Sequence, residues 1–338
     1  RRSLTLLIAA VGAAAALAVS VLIPVPYVIL SPGPTLNTLG KDSSGRPLIT
    51  ISGHRSYPTS GHLNMVTVSA QGGPGDMFNI FAALAAWLNP QDAVVPEDEL
   101  YTPGQTQQQT QTQDTQEMTG SQQTATAAAL EELHIPYQVV VAQAEQGYPA
   151  YHVLRAGDII TAVDGRPVTG QTSLSNLINA YPAGTTLTLT ILRKGKTQQT
   201  RVATRESGGE RLIGVVISFK FPFTISISVG DIGGPSAGLM FALGIIDKLA
   251  PLDLTGGKFI AGTGEITAGG QVQPIGGIQQ KMVGARDVGA TIFLTPAANC
   301  PDTKGAVPAG LRLVKVSTLA QAVSYLQAIK AGQSVPSC

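Results

Sequence analysis

The chain alternates short hydrophobic runs of two periods, which predicts a mixed fold of class α+β. "PLITISG", "HLNMVTVSA", "YQVVVAQ", "LIGVVIS", "FTISISV" and "ATIFLTP" show strand alternation or β-branched enrichment. "GDMFNIFAALAAWLN" repeats apolar residues at helical spacing, with Met77, Ile80, Phe81, Leu84 and Leu88 on one side. "TATAAALEELHI", "SLSNLINAY" and "STLAQAVSYLQAI" read as further helices, the second capped by serine. In the third, Leu319, Ala322, Val323 and Leu326 face inward. "YVILSPGPTLNTLG" carries turn residues at short intervals and reads as an extended entry loop. "PGQTQQQTQTQDTQEMTGSQQ" is Gln/Thr-rich and reads as a mobile surface excursion.

One run exceeds the rest. Leu4 to Leu30 is nearly all apolar and uncharged, and Arg1 and Arg2 precede it. About 20 apolar residues span a bilayer. Residues 4–23 are therefore expected to form a single-pass membrane anchor, with the basic end cytoplasmic and the remainder extracytoplasmic. A cleaved signal peptide is the rival reading. A buried core helix is the weaker one, since Pro24 and Pro26 end the run.

Composition adds little. The 338 residues suffice for two domains, and a net charge of +1 suggests no nucleic-acid partner. Four histidines and two distant cysteines lack metal-ligand spacing, so no metal is expected. No cofactor is expected either. Cys300 and Cys338 suit one disulfide in an exported chain, against two free thiols otherwise.

The candidate chemistry lies in "GDIGGPSAGLMFALGIID" and "PIGGIQQKMVGARDVGA". Gly234 to Gly238 fits G-x-S-x-G, but an α/β-hydrolase needs a histidine after its serine. His54, His62, His134 and His152 all precede Ser236. No G-[DN]-S-G-G string supports a trypsin-like triad. A serine–lysine pair remains. Pro235 suits the first helical position, which sets Ser236 at a helix N-terminus where free N–H groups near Gly234 to Ser236 can hold an oxyanion. Lys281 has helix neighbours Gly277, Ile278, Gly284 and Ala285, none able to pair with it. Burial there favours the neutral amine, a base. Taken singly, Ser236 reads better as a helix N-cap and Lys281 as a snorkelling surface lysine.

"GGPSAGLMFALGIID", "GTGEITAGGQVQPIGGIQQKMVGA" and "ATIFLTPAAN" resemble the proteolytic domain of Lon-type proteases, in motif order and nearly in spacing. The resemblance implies Ser236 as nucleophile, Lys281 as general base, Thr263 as a residue orienting the lysine, and Glu265 as a motif glutamate of less certain role. It also implies ring-forming self-association. Gly233 stands where the family commonly has aspartate, and Asp231 is a candidate substitute. No G-x-x-x-x-G-K-[ST] occurs, since "RKGKT" lacks the first glycine, so ATP independence is expected.

"LRAGDIITAVDGRPV" and its surroundings resemble a PDZ domain of bacterial envelope proteases. Tyr148, Pro149 and Ala150 occupy the place of that family's carboxylate-binding loop. A spacer without ligand stays open. The expected domains are a transmembrane anchor at 1–30 and an N-terminal part of the Lon-like domain at 31–135. A PDZ-like domain follows at 136–205 and a Lon-type proteolytic domain with a C-terminal tail at 206–338. The implied function is an ATP-independent extracytoplasmic serine endopeptidase acting on proteins or peptides. The alternatives are a non-catalytic PDZ peptide-binding envelope protein, and self-processing only.

Overall fold

The computed structural model describes residues 2–22, 24–42 and 44–338. Its organising element is a six-stranded sheet drawn from both ends of the chain. The order is Arg312–Val316, Ile292–Pro296, Phe259–Gly262, His62–Gly72, Tyr27–Asn37 and Ala93–Pro96. The first four strands run parallel, and the last two pair antiparallel. The N-terminal strand His62–Gly72 thus sits directly beside the C-terminal strand Phe259–Gly262, with Leu63 opposite Ile260 and Met65 opposite Gly262.

A second sheet is antiparallel throughout its main path: Val215–Lys220, Gln138–Ala144, Ile159–Val163, Thr186–Arg193 and Lys196–Ala203. It is the PDZ-like sheet, and the Lon-type α/β unit is separate from it. Val215–Lys220 lies beyond the expected 136–205 boundary, because pairing with Gln138–Ala144 claims it. The strand after it, Thr224–Ile227, pairs instead with Ile49–Ser52.

Several expectations are corrected. Among the described residues no helix is long and apolar enough to cross a membrane. The expected anchor at 1–30, its span 4–23, the membrane as partner and the single-pass topology are overturned with it. Residues 4–22 fall in a helix, Arg2–Leu22, in which alanine, a weakly apolar residue, fills seven of the 21 positions. Residues 1 and 23 lie outside the described residues.

The "entry loop" is a strand, Tyr27–Asn37. Its prolines survive because Ala93–Pro96 covers only residues 27–30, and a register shift falls between Pro32 and Thr35, where one neighbour remains. The helix Ile80–Leu88 turns Ala83 and Ala86 inward, while Met77, Phe81, Leu84 and Leu88 face outward. The short helix Gln171–Asn179 starts after Gly170, with Ser173 inside it, its Oγ accepting from the Thr169 N–H.

The Gln/Thr-rich segment is no mobile excursion. It forms most of a 26-residue helix, Gln107–Glu132. Thr106 accepts from the Gln109 N–H while the Gln109 side chain accepts from the Thr106 N–H, a reciprocal cap. Met118, Ser121, Ala125, Ala128 and Ala129 make its buried stripe, packed against the helix Gly238–Leu249. Small residues at that stripe permit close helix approach, so burial overrides weak helical propensity.

Candidate functional site

Ser236 lies in a bend that leads into the helix Gly238–Leu249, whose residues from Gly238 to Asp247 are all buried and, Asp247 apart, apolar. The helix begins at Gly238, not at Pro235, which sits in the bend before it. A tight turn bridges the gap, with the Gly238 N–H donating to the Pro235 carbonyl at 3.3 Å. Gly234 adopts φ +83°, a region that disfavours any side chain.

The backbone of this bend is held from two directions. Thr263 Oγ1 and the Gly264 N–H both donate to the Ser236 carbonyl, at 3.0 and 2.8 Å. The Leu239 N–H returns a bond to the Gly264 carbonyl at 2.9 Å. From the long helix, Ser121 Oγ donates to the Pro235 carbonyl at 2.9 Å. The Asp114 carbonyl accepts the Gly234 N–H at 3.1 Å. That last bond occupies a donor expected for an oxyanion. The Ser236 and Ala237 N–H groups have no acceptor among the described residues.

Lys281 belongs to the helix Ile278–Asp287, which starts after Gly277 in a left-handed conformation. Gly277 fits only because it lacks a side chain: a Cβ there would lie 2.6 Å from Val68 Cγ2. Asn299 brackets the preceding loop, accepting from the Ile275 N–H and donating to its carbonyl, both at 2.9 Å. Lys281 is 4% exposed, and among the described residues it makes no ion pair or side-chain hydrogen bond. Burial lowers its pKa from the ordinary lysine value to about 8.

Ser236 and Lys281 line one cleft of about 450 Å³. Leu30, Met65, Val68, Met118 and Ile232 supply apolar walls, and Asp114 and Asp231 are its carboxylates. Asp114 was invisible to sequence reasoning, hidden in the polar run. It packs against Gly233, where a Cβ would lie 2.5 Å from its own Cβ. Burial, then the neighbouring Glu117, raises its carboxyl above the usual range. The half-buried Asp114 lies one turn before the buried Met118, Ser121 and Ala125, and the period of that stripe is the signal that could have found it.

Other expected residues stand apart. Thr263 is buried against the Ser236 carbonyl and makes no bond to the lysine. Glu265 is exposed on a two-residue strand and does not line the cleft. Around Tyr148, Pro149 and Ala150 both backbone N–H groups are engaged. The Tyr148 N–H donates to Glu145, the Ala150 N–H donates to Ile213, and Ala150 is fully buried. Arg205 covers the Tyr148 ring at 5.2 Å. Cys300 and Cys338 are joined by a disulfide, with Cα atoms 5.2 Å apart.

Residues 226–328 match the Lon protease (S16) C-terminal proteolytic domain, and residues 108–204 match the PDZ domain family. A Lon protease of Roseiflexus castenholzii is 44% identical over 71 residues, 21% of this chain and 9% of that protein. One from Heliobacterium modesticaldum is 38% identical over 94 residues, 27% of this chain and 11% of that one. One from Syntrophomonas wolfei is 32% identical over 142 residues, 39% of this chain and 17% of that one. The chain therefore spans less than a fifth of these relatives' length. The PDZ domain of an SdrC-like protein from Listeria monocytogenes is 26% identical, covering 23% of this chain and 85% of its own, at a TM-score of 0.22 that carries no weight. The likeness to Lon proteolytic domains supports a protease-family role. The PDZ match supports binding of a protein or peptide.

Proposed function

We propose that this chain is a serine endopeptidase in which Ser236 attacks a peptide carbonyl and neutral Lys281 takes the hydroxyl proton. The observation that carries this reading is the shared cleft: an unpaired, buried lysine with a pKa of about 8 beside a serine at a helix entrance. At pH 7 about a tenth of such lysines are neutral, enough to act as a base. In the first step the Ser236 Oγ–carbon bond forms as its proton passes to Lys281 Nζ. The lysine then returns that proton to the leaving amine as the peptide C–N bond breaks. Water, deprotonated by Lys281 Nζ, then bonds to the acyl carbon, the bond from that carbon to Ser236 Oγ breaks, and the lysine returns the proton to Oγ. The free N–H groups of Ser236 and Ala237 are the donors available to a developing oxyanion.

The PDZ-like sheet supplies a second place for polypeptide. Its edge strand Val215–Lys220 has a neighbour on one side only, which leaves room for an added strand. Its place in the reading is delivery of substrate, not chemistry.

The test uses the full chain with unfolded casein and a fluorogenic peptide mixture, without ATP, over pH 6–10. Turnover in wild type that is lost in both Ser236→Ala and Lys281→Met supports the pair. Turnover surviving in Ser236→Ala would sink it.

A further inference from the structure

The peptide group between Pro235 and Ser236 has one polar atom held and one free. Its carbonyl accepts from Ser121 Oγ at 2.9 Å and from the Gly238 N–H at 3.3 Å. Its N–H, that of Ser236, has no acceptor among the described residues. The described backbone contains no cis peptide bond. In a planar trans peptide the C=O and N–H point in opposite directions. Whatever holds this carbonyl therefore sets where the Ser236 N–H points.

Ser121 behaves unlike the other hydroxyls of its helix. The six threonines of Gln107–Glu132, from Thr110 to Thr126, each donate to the carbonyl four residues before, the usual outlet for a hydroxyl inside a helix. Ser121, 5% exposed, donates instead to a carbonyl 114 positions away. The contact needs a close approach at the start of the next helix. A Cβ on Gly238 would lie 3.1 Å from Ser121 Oγ and 2.9 Å from Ile266 Cγ2. Ser121 does not line the cleft, whereas Ser236 and Ala237 do. It also lies outside residues 226–328, which match the proteolytic domain.

We propose that Ser121 is a positioning residue for the oxyanion donors. By holding the Pro235 carbonyl on the side of the long helix, it turns the Ser236 N–H toward the cleft, where that group meets the oxygen of the scissile carbonyl. The inference rests on the protease reading. The next peptide group is set in the same manner by a different element. Thr263 Oγ1 and the Gly264 N–H hold the Ser236 carbonyl, which leaves the Ala237 N–H on the opposite side. Ser121 touches no reacting atom. Its effect grows as charge develops on the substrate oxygen, so it acts on kcat more than on binding of the uncharged substrate.

The experiment compares the full wild-type chain with Ser121→Ala. It uses one leucine-containing fluorogenic peptide and two inhibitors of the same sequence, a peptidyl boronic acid and a carboxamide without boron. Alanine forms helix better than serine, so the helix is retained, and urea midpoints of both proteins are read alongside. The boronic acid bonds Ser236 Oγ to boron and sets a boron-bound oxygen at the oxyanion position, and the carboxamide forms no such bond. In Ser121→Ala kcat is expected to fall about five- to tenfold with KM unchanged, the range of one hydrogen bond. Affinity for the boronic acid falls by a similar factor, and affinity for the carboxamide stays the same. The pH dependence of kcat, which reports Lys281, does not move. Equal kcat and equal boronic acid affinity in the two proteins would overturn the role of Ser121 and leave the protease reading standing. Equal losses for both inhibitors, tracking a lowered urea midpoint, would overturn it too, since Ser121 would then only pack two helices. A wild type that cleaves nothing and binds the boronic acid no better than Ser236→Ala does would overturn the protease reading and this inference with it.

Discussion

Thr263 Oγ1 holds the carbonyl of Ser236 at 3.0 Å, so the threonine positions the serine through its backbone. The Gly264 N–H on the same carbonyl leaves one bond in place if the hydroxyl is removed. Thr263→Val preserves shape in a site that is 1% exposed. The expected result is a fall in kcat of about fivefold, with KM little changed, matching loss of one buried hydrogen bond worth about 1 kcal/mol. Thr263→Ser should restore most of it. Were the threonine to act on the lysine instead, the pH dependence of kcat would move in Thr263→Val, and steady-state kinetics over pH 6–10 would show it.

Lys281 makes a stability prediction with a definite sign. Its folded pKa of about 8 lies below the ordinary 10.5. Below pH 8 both folded and unfolded chains hold the proton, and the full penalty of burying the ammonium is present. Between about 8 and 10.5 the unfolded chain binds more protons than the folded one, so stability rises with pH. Above 10.5 the penalty is gone. The difference corresponds to about 3 kcal/mol at 1.36 kcal/mol per pH unit. Lys281→Met removes the buried charge. It is expected to abolish turnover and yet raise the unfolding free energy at pH 7 by up to about 3 kcal/mol. Urea titrations at pH 7 and pH 11 check this, since the gain should shrink at the higher pH.

The serine and lysine were legible because their motifs are local: a glycine-proline bend before an apolar helix, and a lysine spaced from anything that could pair with it. The sheet that unites them was legible only in part. The strand character of "HLNMVTVSA" is plain, but its parallel pairing with Phe259–Gly262 joins residues almost 200 positions apart, which no window of sequence displays. Asp114 and Ser121 were missed for a different reason. A run of Gln and Thr has the composition of disorder, and what orders it is burial of one narrow stripe against the serine's own helix. In the PDZ-like unit, Tyr148 and Ala150 spend their N–H groups on the carbonyls of Glu145 and Ile213, and the second of these joins residues more than 60 positions apart.

Gly233 and Asp114 form a pair that should show strong coupling. A methyl at residue 233 would overlap the Asp114 Cβ, at 2.5 Å, so either the bend or the helix must shift. Gly233→Ala is expected to lose activity at least tenfold and to destabilise by about 1–3 kcal/mol, as overpacked sites do. Asp114→Gly opens the space at a helical cost of about 1 kcal/mol. Combined, the two changes should recover part of the rate lost in Gly233→Ala alone. Purely additive losses in that double-mutant cycle, measured as kcat/KM, would show that the contact does not govern the bend.

The disulfide ties Cys338 to the turn that carries Asn299. Cys300 and Cys338 are 38 residues apart in sequence, and the loop they close contains the strand Arg312–Val316 and the helix Leu319–Lys330. Closing a loop of that length restricts the unfolded chain by about 4 kcal/mol in the entropy picture, less any adjustment in the folded state. The neighbouring Asn299 also grips Ile275, on the loop that leads to Lys281. Reduction, or Cys338→Ser, is therefore expected to destabilise the Lon-type unit by about 2–4 kcal/mol. The Lys281-dependent rate should fall less than that, because both Asn299 bonds stay within residues 275–299. Denaturant midpoints with and without reductant measure the first effect. Parallel assays in the folded baseline measure the second. A midpoint unmoved by reduction would mean that packing of the helix Leu319–Lys330 alone holds the C-terminal segment in place.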